Sequence, residues 1–307
     1  MTSIWLRGQE HKPCEHRCPL CGGPTDVAFT VTDRNRAITR RTFSYRRCVA
    51  CGSYYIVDVP TDLSQYYPEE YYELPPAEKL DGLASGEASK LELLAPAGSS
   101  GRLVEIGPGF GVFARAAHQA GFDVTGIEMD RRCCEYLESV VGVAAINSDQ
   151  PVEALADLPP SRAIVLWHVM EHLPEPWEVL RAAAANLEPG GVLAVAMPNP
   201  QAFQFRLLRG RWAHVDAPRH LFLIPAAELT RRAAPLGLHR VELTTSDLAG
   251  RSWNRFGWEY ALRRYPARRH GSRRLVVASQ IIERALRLIE SRDLAGTAYS
   301  AVFVKSG

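Results

Sequence analysis

"VEIGPGFGVFARAAHQAG", residues 104–121, sets three glycines, at 107, 109 and 111, between an apolar run and an amphipathic stretch closed by Gly121. The pattern reads as a β-strand, a tight turn and a helix. Glycine has no Cβ and adopts positive φ at little cost, so a ligand can lie close against the backbone of such a turn. The turn's amide groups and the positive end of the helix face that ligand. A dinucleotide fingerprint requires G-x-G-x-x-G, and the position that would complete it here is Val112. Instead Glu105 stands two residues before the first glycine, and Glu128 ends the next strand in "GIEMD". A carboxylate at the end of the second strand suits the two hydroxyls of a ribose. An acid beside the turn repels phosphate and welcomes an ammonium group, so the pair points to an adenosyl amino acid.

From residue 101 onward, strand and helix signals alternate, as they do in a parallel α/β sheet. Strands are predicted at "RLVEIG", "FDVTGIE", "VAAIN", "RAIVLWHV", "GVLAVAMP", "HRVELTTS" and "AYSAVFVK". Helices are predicted after Gly111, from Asp130 to Val141, from Pro176 to Leu187 and from Pro225 to Ala234. The stretch 250–291 interrupts this alternation. Its Trp253, Phe256, Trp258 and Tyr260 are candidates for the wall of an apolar pocket, while "LVVASQIIERALRLIE" has the apolar spacing of a packed helix. The arginines from Arg263 to Arg274 read as a solvated face or as an attractor for phosphate.

The N-terminal part carries "CPLCGG" and "RRCVACGSYY": C-x2-C at Cys18 and Cys21, twenty-six intervening residues, then C-x2-C at Cys48 and Cys51. Two such knuckles form a tetrahedral four-thiolate cage suited to zinc. The same geometry suits iron, and four free buried thiols are the plain alternative. "DVAFTVTD" and "TFSYRRC" between the pairs read as short strands, so the expectation is a zinc ribbon whose closed, four-ligand site is structural. Cys14, His11 and His16 are expected to be bystanders. Between ribbon and sheet, "LSQYYPEEYYELPP" offers Tyr66, Tyr67, Tyr71 and Tyr72, either as caps on a pocket or as linker packing.

Taken in order, "VEIGPGFG", "GIEMD", "INSD", "IVLWHVMEHLPEP" and "LEPGGVLAVAMPNP" resemble the successive motifs of class I S-adenosylmethionine-dependent methyltransferases over about two thirds of the chain. "HVMEHL" followed by "LEPGG" is similar to the branch holding ubiquinone-pathway and many natural-product or saccharide methyltransferases. The ribbon, "YYPEEYY" and "RWAHVDAPRHLFLIP" also resemble a zinc-ribbon subgroup of biosynthetic enzymes. The resemblance implies an α/β fold with a seven-stranded Rossmann-like sheet, its last strand antiparallel, behind a small N-terminal β zinc ribbon. The expected division is ribbon 1–58, linker and lead-in 59–98, and methyltransferase domain 99–307 with acceptor-site insertions near 199–224 and 249–291. It further implies that Gly107, Gly109 and Gly111 cradle the methionine moiety of the S-adenosylmethionine cofactor, with Glu105 near its ammonium. Glu128 would bind the ribose, Met129 pack on the adenine and Asp149 meet its amino group, while Trp167 and His168 line the site. Many members carry Asp where Glu105 stands, a change in reach rather than charge.

Methyl transfer from a sulfonium is an in-line displacement that rests on positioning, with a general base added for a hydroxyl acceptor. Histidines are natural bases near neutrality. His220 is the leading candidate, His214 the second and His168 the third, with Asp216 placed to orient a base and Arg219 to hold an acidic group of the acceptor. Tyr67, Tyr71 and Trp212 complete the expected acceptor site; the alternative is that Trp212, Asp216 and Arg219 form a structural clamp. His118 is expected on the surface, and Glu171 and His172 as framework.

"WHVMEH" stands where amino-directed DNA or glutamine methylation would show Asn/Asp-Pro-Pro-Tyr/Phe, which leaves oxygen, or activated carbon, of a small-molecule acceptor. Net charge is only +2, so there is no wholesale attraction to nucleic acid or membrane. The competing class is an RNA methyltransferase reading RNA through Arg34, Arg36, Arg40, Arg41, Arg46 and Arg47 of the ribbon. A degenerate, non-enzymatic domain is disfavoured by the intact glycines and Glu128. With 46% apolar residues a packed core is expected, and no run is long and apolar enough for a transmembrane segment. Five of the seven cysteines lie between 14 and 51, unlike a dispersed disulfide framework, so the protein is expected to be cytoplasmic. No feature of the sequence specifies an oligomeric state.

Overall fold

A computed structural model describes residues 17–68, 71–246, 248–263, 273–292 and 294–307. The described strands are β1 (Thr25–Thr32), β2 (Thr42–Cys48), β3 (Tyr54–Ile56), β4 (Gly101–Ile106), β5 (Phe122–Glu128) and β6 (Ala144–Asn147). They continue as β7 (Ser161–Trp167), β8 (Leu187–Pro198), β9 (Phe222–Leu223), β10 (Leu238–Thr244) and β11 (Ala298–Lys305). Seven of them form one sheet in the order β10-β11-β8-β7-β4-β5-β6. β6, β5, β4, β7 and β8 run parallel, and β11 is antiparallel to both β8 and β10. This is the seven-stranded α/β fold with an antiparallel last strand that the motif order implied.

The central strands are apolar without alternation because both faces of the sheet are covered. Ile164, Leu166, Leu193 and Val195 belong to one buried cluster, Leu103, Val165 and Ala194 to the other. The helix Val112–Gln119 buries Phe113, Ala114, Ala116 and Ala117 and leaves His118 exposed, as its periodicity requires.

The second sheet is small: β1-β2-β3-β9. β1 and β2 form an antiparallel hairpin, and β3 pairs Tyr54 with Leu223 and Tyr55 with Phe222 of β9. The N-terminal ribbon therefore takes its fourth strand from far along the chain. Tyr45 and Phe43 of the hairpin share a single buried cluster with Val215, Leu223 and the strands of the large sheet.

Two details differ from expectation. The stretch that interrupts the alternation opens with a helix that was not predicted, Leu248–Leu262. The next helix, Arg273–Glu290, packs on it through Ser279 and Glu290 but leaves Ile281 and Leu288 exposed. His11, Cys14, His16 and several positions of the arginine run, Arg264, Arg268 and Arg269 among them, lie outside the described residues. No helix among the described residues is long and apolar enough to cross a membrane.

Candidate active site

The strand order reverses between β4 and β7, and open α/β sheets place their ligands in the crevice at such a point, beyond the strand ends. Here that crevice opens into a cavity of about 1020 Å³. On the β4 side Gly107 has φ +69°, and a Cβ there would stand 2.6 Å from Val169 Cγ2. Gly109 has φ +55°, with the Tyr72 ring 3.1 Å from where its Cβ would be. Both positions thus demand glycine, one for conformation and contact behind the turn, the other for an aromatic lid over it.

Glu105 and Glu128 face the same cavity. Glu105 is fully buried, its Oε2 has no hydrogen-bond partner, and burial raises its pKa to about 8 against the pull of Lys90. Such an orphaned carboxylate fits an incoming ammonium group. Glu128 is held differently: Oε2 accepts from Gly109 N and Oε1 from Asp130 N, both at 2.9 Å. Each oxygen keeps a second lone pair for a hydroxyl donor. Burial raises the Glu128 pKa, and the two amides oppose the rise. Met129, Trp167 and His168 also line the cavity. Gly111 (φ +80°) sits behind the turn as the helix N-cap, packed on Leu137. Asp149 is half-buried beside the wall residue Ser148 and does not itself line the cavity.

The far half of the cavity is walled by His214, His220, Asp216, Trp253, Phe256 and Tyr67. The segment bearing His220 is docked by Leu221 N, which donates to Glu171 O at 2.7 Å. A carbonyl can only accept, so His220 Nδ1 carries a proton and donates to His214 O at 2.8 Å, leaving the lone pair on Nε2. His172 Nδ1 likewise donates to Arg219 O at 3.0 Å, with the Tyr67 hydroxyl 3.1 Å from the same nitrogen. The three histidines differ in basicity. Burial and His168 push His214 down to about 3, and burial and His220 push His172 down to about 4. His220 is lowered by burial but supported by Glu171 and Asp216. Glu171 is completely buried, and neither of its oxygens has a hydrogen-bond partner. One ligand atom from each of Glu171, His172 and His220 lies within 4.8 Å of the others.

Two acceptor-site expectations need correction. Arg219 has no exposed side-chain surface, does not line the cavity and is paired with Asp33 (2.7 Å) and Asp216 (2.6 Å). Burial opposes ionisation of Asp216, but Arg219 overrides it and holds the carboxyl down to about 2. Trp212 is also sealed, 1% exposed, with its ring 5.1 Å from Phe205 and 4.9 Å from His214. Both fit the clamp under the loop: the guanidinium ties Asp33 to Asp216, and the indole fills the space among Phe205 and His214. Trp258 also turns inward, donating to Glu290 at 2.8 Å.

The ribbon supplies wall residues that the sequence did not disclose: Asn35, Arg36 and Ile38, at the tip of the β1–β2 hairpin. Asp33 shapes that tip by accepting from Arg36 N (3.2 Å) and Ile38 N (2.9 Å). Arg36 lies over the Tyr71 ring at 4.4 Å, and Tyr71 in turn meets Tyr67 at 4.9 Å. Tyr66 instead packs on Phe43 of the ribbon.

At the other end of the ribbon Cys18, Cys21, Cys48 and Cys51 bring their sulfurs within 4.8 Å of one another, unbridged by disulfides. The Cys18–Cys51 and Cys21–Cys48 separations are 3.9 and 3.4 Å. Tetrahedral thiolates about 2.3 Å from zinc stand roughly 3.8 Å apart, so the cluster has the size of a closed four-sulfur site. Gly23 N and Cys51 N point at Cys21 and Cys48 sulfurs, as knuckle backbones do.

The sequence matches the methyltransferase-domain family over residues 80–243. The ubiquinone biosynthesis O-methyltransferase of Bordetella avium is 30% identical over 174 residues, covering 52% of this chain and 69% of that protein. That of Ralstonia nicotianae is 28% identical over 156 residues, covering 48% of this chain and 59% of its own length. Among solved structures, an S-adenosylmethionine-dependent methyltransferase from Archaeoglobus fulgidus shares the fold with TM-score 0.50 at 17% identity, over 74% of this chain and 94% of that one.

Proposed function

The chain belongs to the S-adenosylmethionine-dependent methyltransferases, and from that premise we propose that it methylates an oxygen, or an activated carbon, of a small-molecule biosynthetic intermediate. The observation that carries this reading is His220: an imidazole with its proton fixed on Nδ1 and its basic Nε2 free, in the same cavity as the glycine turn. S-adenosylmethionine supplies a methyl group on a sulfonium, which an oxygen nucleophile displaces in line. Glu105 would hold the donor's ammonium, Glu128 its ribose hydroxyls and Met129 its adenine, with Asp149, beside the wall residue Ser148, left at the edge of the adenine site. Trp167 and His168 wall the reacting end. His220 takes the acceptor proton, in preference to His214, which burial and His168 push down to about 3.

Trp253, Phe256, Tyr67 and Tyr71 favour an acceptor with an apolar face, enclosed away from water. The ribbon arginines give little support to an RNA acceptor. Arg46 is tied to Thr25, Arg34 bonds Tyr260, and Arg36 and Arg41 lie over Tyr71 and Phe43. Cys18, Cys21, Cys48 and Cys51 would hold a structural zinc, since four sulfur ligands would leave no open position for substrate.

The test is incubation of the protein with labelled S-adenosylmethionine and small metabolites, with RNA as rival acceptor, read by mass spectrometry. A small molecule gaining one methyl supports the reading; label in RNA alone overturns it. Under the first outcome His220→Ala must abolish turnover and leave donor binding intact.

A further inference from the structure

Glu171 has no assigned task, yet it occupies an unusual position. It lies on the short helical turn Met170–His172, is fully buried, and neither of its oxygens makes a hydrogen bond. Burial pushes its carboxyl above the usual range, and His220 and His172 are the groups that pull it back toward the ionised form. The groups facing it come from four elements. His168 Nδ1 lies 3.5 Å from its Oε1, His172 is its neighbour, His220 and Asp216 approach from the segment after Arg211, and the phenols of Tyr67 and Tyr299 lie within electrostatic range. No lysine or arginine is paired with it among the described residues. Asp216 also faces the ring, its Oδ2 4.0 Å from His220 Nε2, but its charge is already paired with the Arg219 guanidinium.

The reaction moves a charge. As the acceptor oxygen–methyl bond forms and the sulfur–methyl bond breaks, the electron pair of the latter stays on sulfur, and the sulfonium becomes a neutral thioether. The acceptor O–H bond breaks and its proton joins Nε2 of His220, which becomes an imidazolium. One positive charge has thus left sulfur and appeared on a buried ring, where burial disfavours it. We infer that Glu171 is the counter-charge for this transfer: a positioning residue whose buried carboxylate, within 4.8 Å of the ring, stabilises the His220 imidazolium in the dry cavity, after which the proton leaves for solvent. The role is that of the buried acid behind the histidine in a catalytic triad, reached here without a direct hydrogen bond. It rests on the reading of His220 as base.

Isosteric Glu171→Gln removes the charge and keeps the shape. Two readouts test it. In histidine-labelled protein saturated with S-adenosylhomocysteine, the NMR titration midpoint of His220 must fall by about one unit or more in E171Q, since an opposite charge at this range moves a pKa by that much. Turnover must fall about 10²-fold, with the acceptor KM and donor Kd within threefold of wild type. Glu171→Asp, which keeps the charge but withdraws it, must lie between the two, and it carries the test if E171Q does not fold. An unmoved His220 midpoint, or turnover within twofold of wild type, overturns the proposal. So does a second divalent ion, beyond that of the cysteine cluster, that co-purifies with wild type and is lost in E171Q; the cluster would then be a metal site. Wild-type turnover in His220→Ala would remove the underlying reading itself, and loss of turnover in H220A with full turnover in E171Q would remove only this one.

Discussion

Asp33 and Arg219 stand 186 positions apart and meet in a fully buried ion pair, Oδ1 to Nη2 at 2.7 Å, with neither side chain exposed. The same carboxylate caps the hairpin tip that reaches the cavity. Removing one member of a buried pair leaves an uncompensated charge and costs about 3–5 kcal/mol. Asp33→Ala should lower the denaturation free energy by about that amount, read by urea titration. It should raise the acceptor KM severalfold while S-adenosylhomocysteine binding stays within twofold. Equal losses of both affinities would show that Asp33 supports the whole sheet rather than one wall.

Glu105 predicts a proton signature for donor binding. Its pKa of about 8 lies well above the usual carboxylate range, so the free protein holds a proton there at pH 7. Pairing with an ammonium group favours the ionised form, so binding at pH 7 should release close to one proton. Calorimetry in buffers of different ionisation enthalpy measures this directly; Glu105→Gln should abolish it. The sign for stability follows. A raised folded-state pKa contributes stability fully present below about 4.5 and lost as pH rises through about 8, so the free protein loses this contribution across that window. Donor binding offsets the loss.

The cysteine cluster predicts one zinc per chain by elemental analysis. Cys48→Ser should release the metal and lower the melting temperature, because the ribbon has few buried residues apart from those it shares with the sheet. Turnover should be lost while donor binding survives, since the glycine turn lies on the large sheet. Iron in the purified protein, or full turnover by a metal-free C48S variant, would refute a structural zinc.

Gly107→Ala should weaken donor binding at least about tenfold, because the added methyl meets Val169 at 2.6 Å in a left-handed conformation. Isothermal calorimetry with S-adenosylhomocysteine checks it. Trp253→Ala should do the opposite: raise the acceptor KM and leave the donor Kd unchanged.

The parts that were legible in the sequence are those governed by local chemistry. "FDVTGIE" and "AYSAVFVK" become β5 and β11 with the predicted bounds because each is a continuous or alternating apolar run closed by polar residues. The glycine turn and the cysteine knuckles were legible because backbone geometry and metal geometry dictate residue type at fixed spacing. The acceptor half was not. "DRNRAITRR" has the composition of a solvated turn, and nothing local says that Arg36 meets Tyr71 across the cavity. Arg219 looked available for substrate because its neutralising partner, Asp33, lies far back in the chain. β3 and β9, three and two residues long, are too short for any periodicity to register.

That last pairing governs how the protein can be cut and recombined. Because Tyr54 and Tyr55 of β3 hydrogen-bond across to Leu223 and Phe222 of β9, the natural joint in the chain is not the linker after residue 58. A chimera that borrows a ribbon from a relative and keeps its own residues 212–224 would lose the matching strand, the partner of Asp33 and the floor under Trp212 together. The transplantable unit consists of two separated segments, and a lineage that diversifies its acceptors by exchanging front ends has to move both.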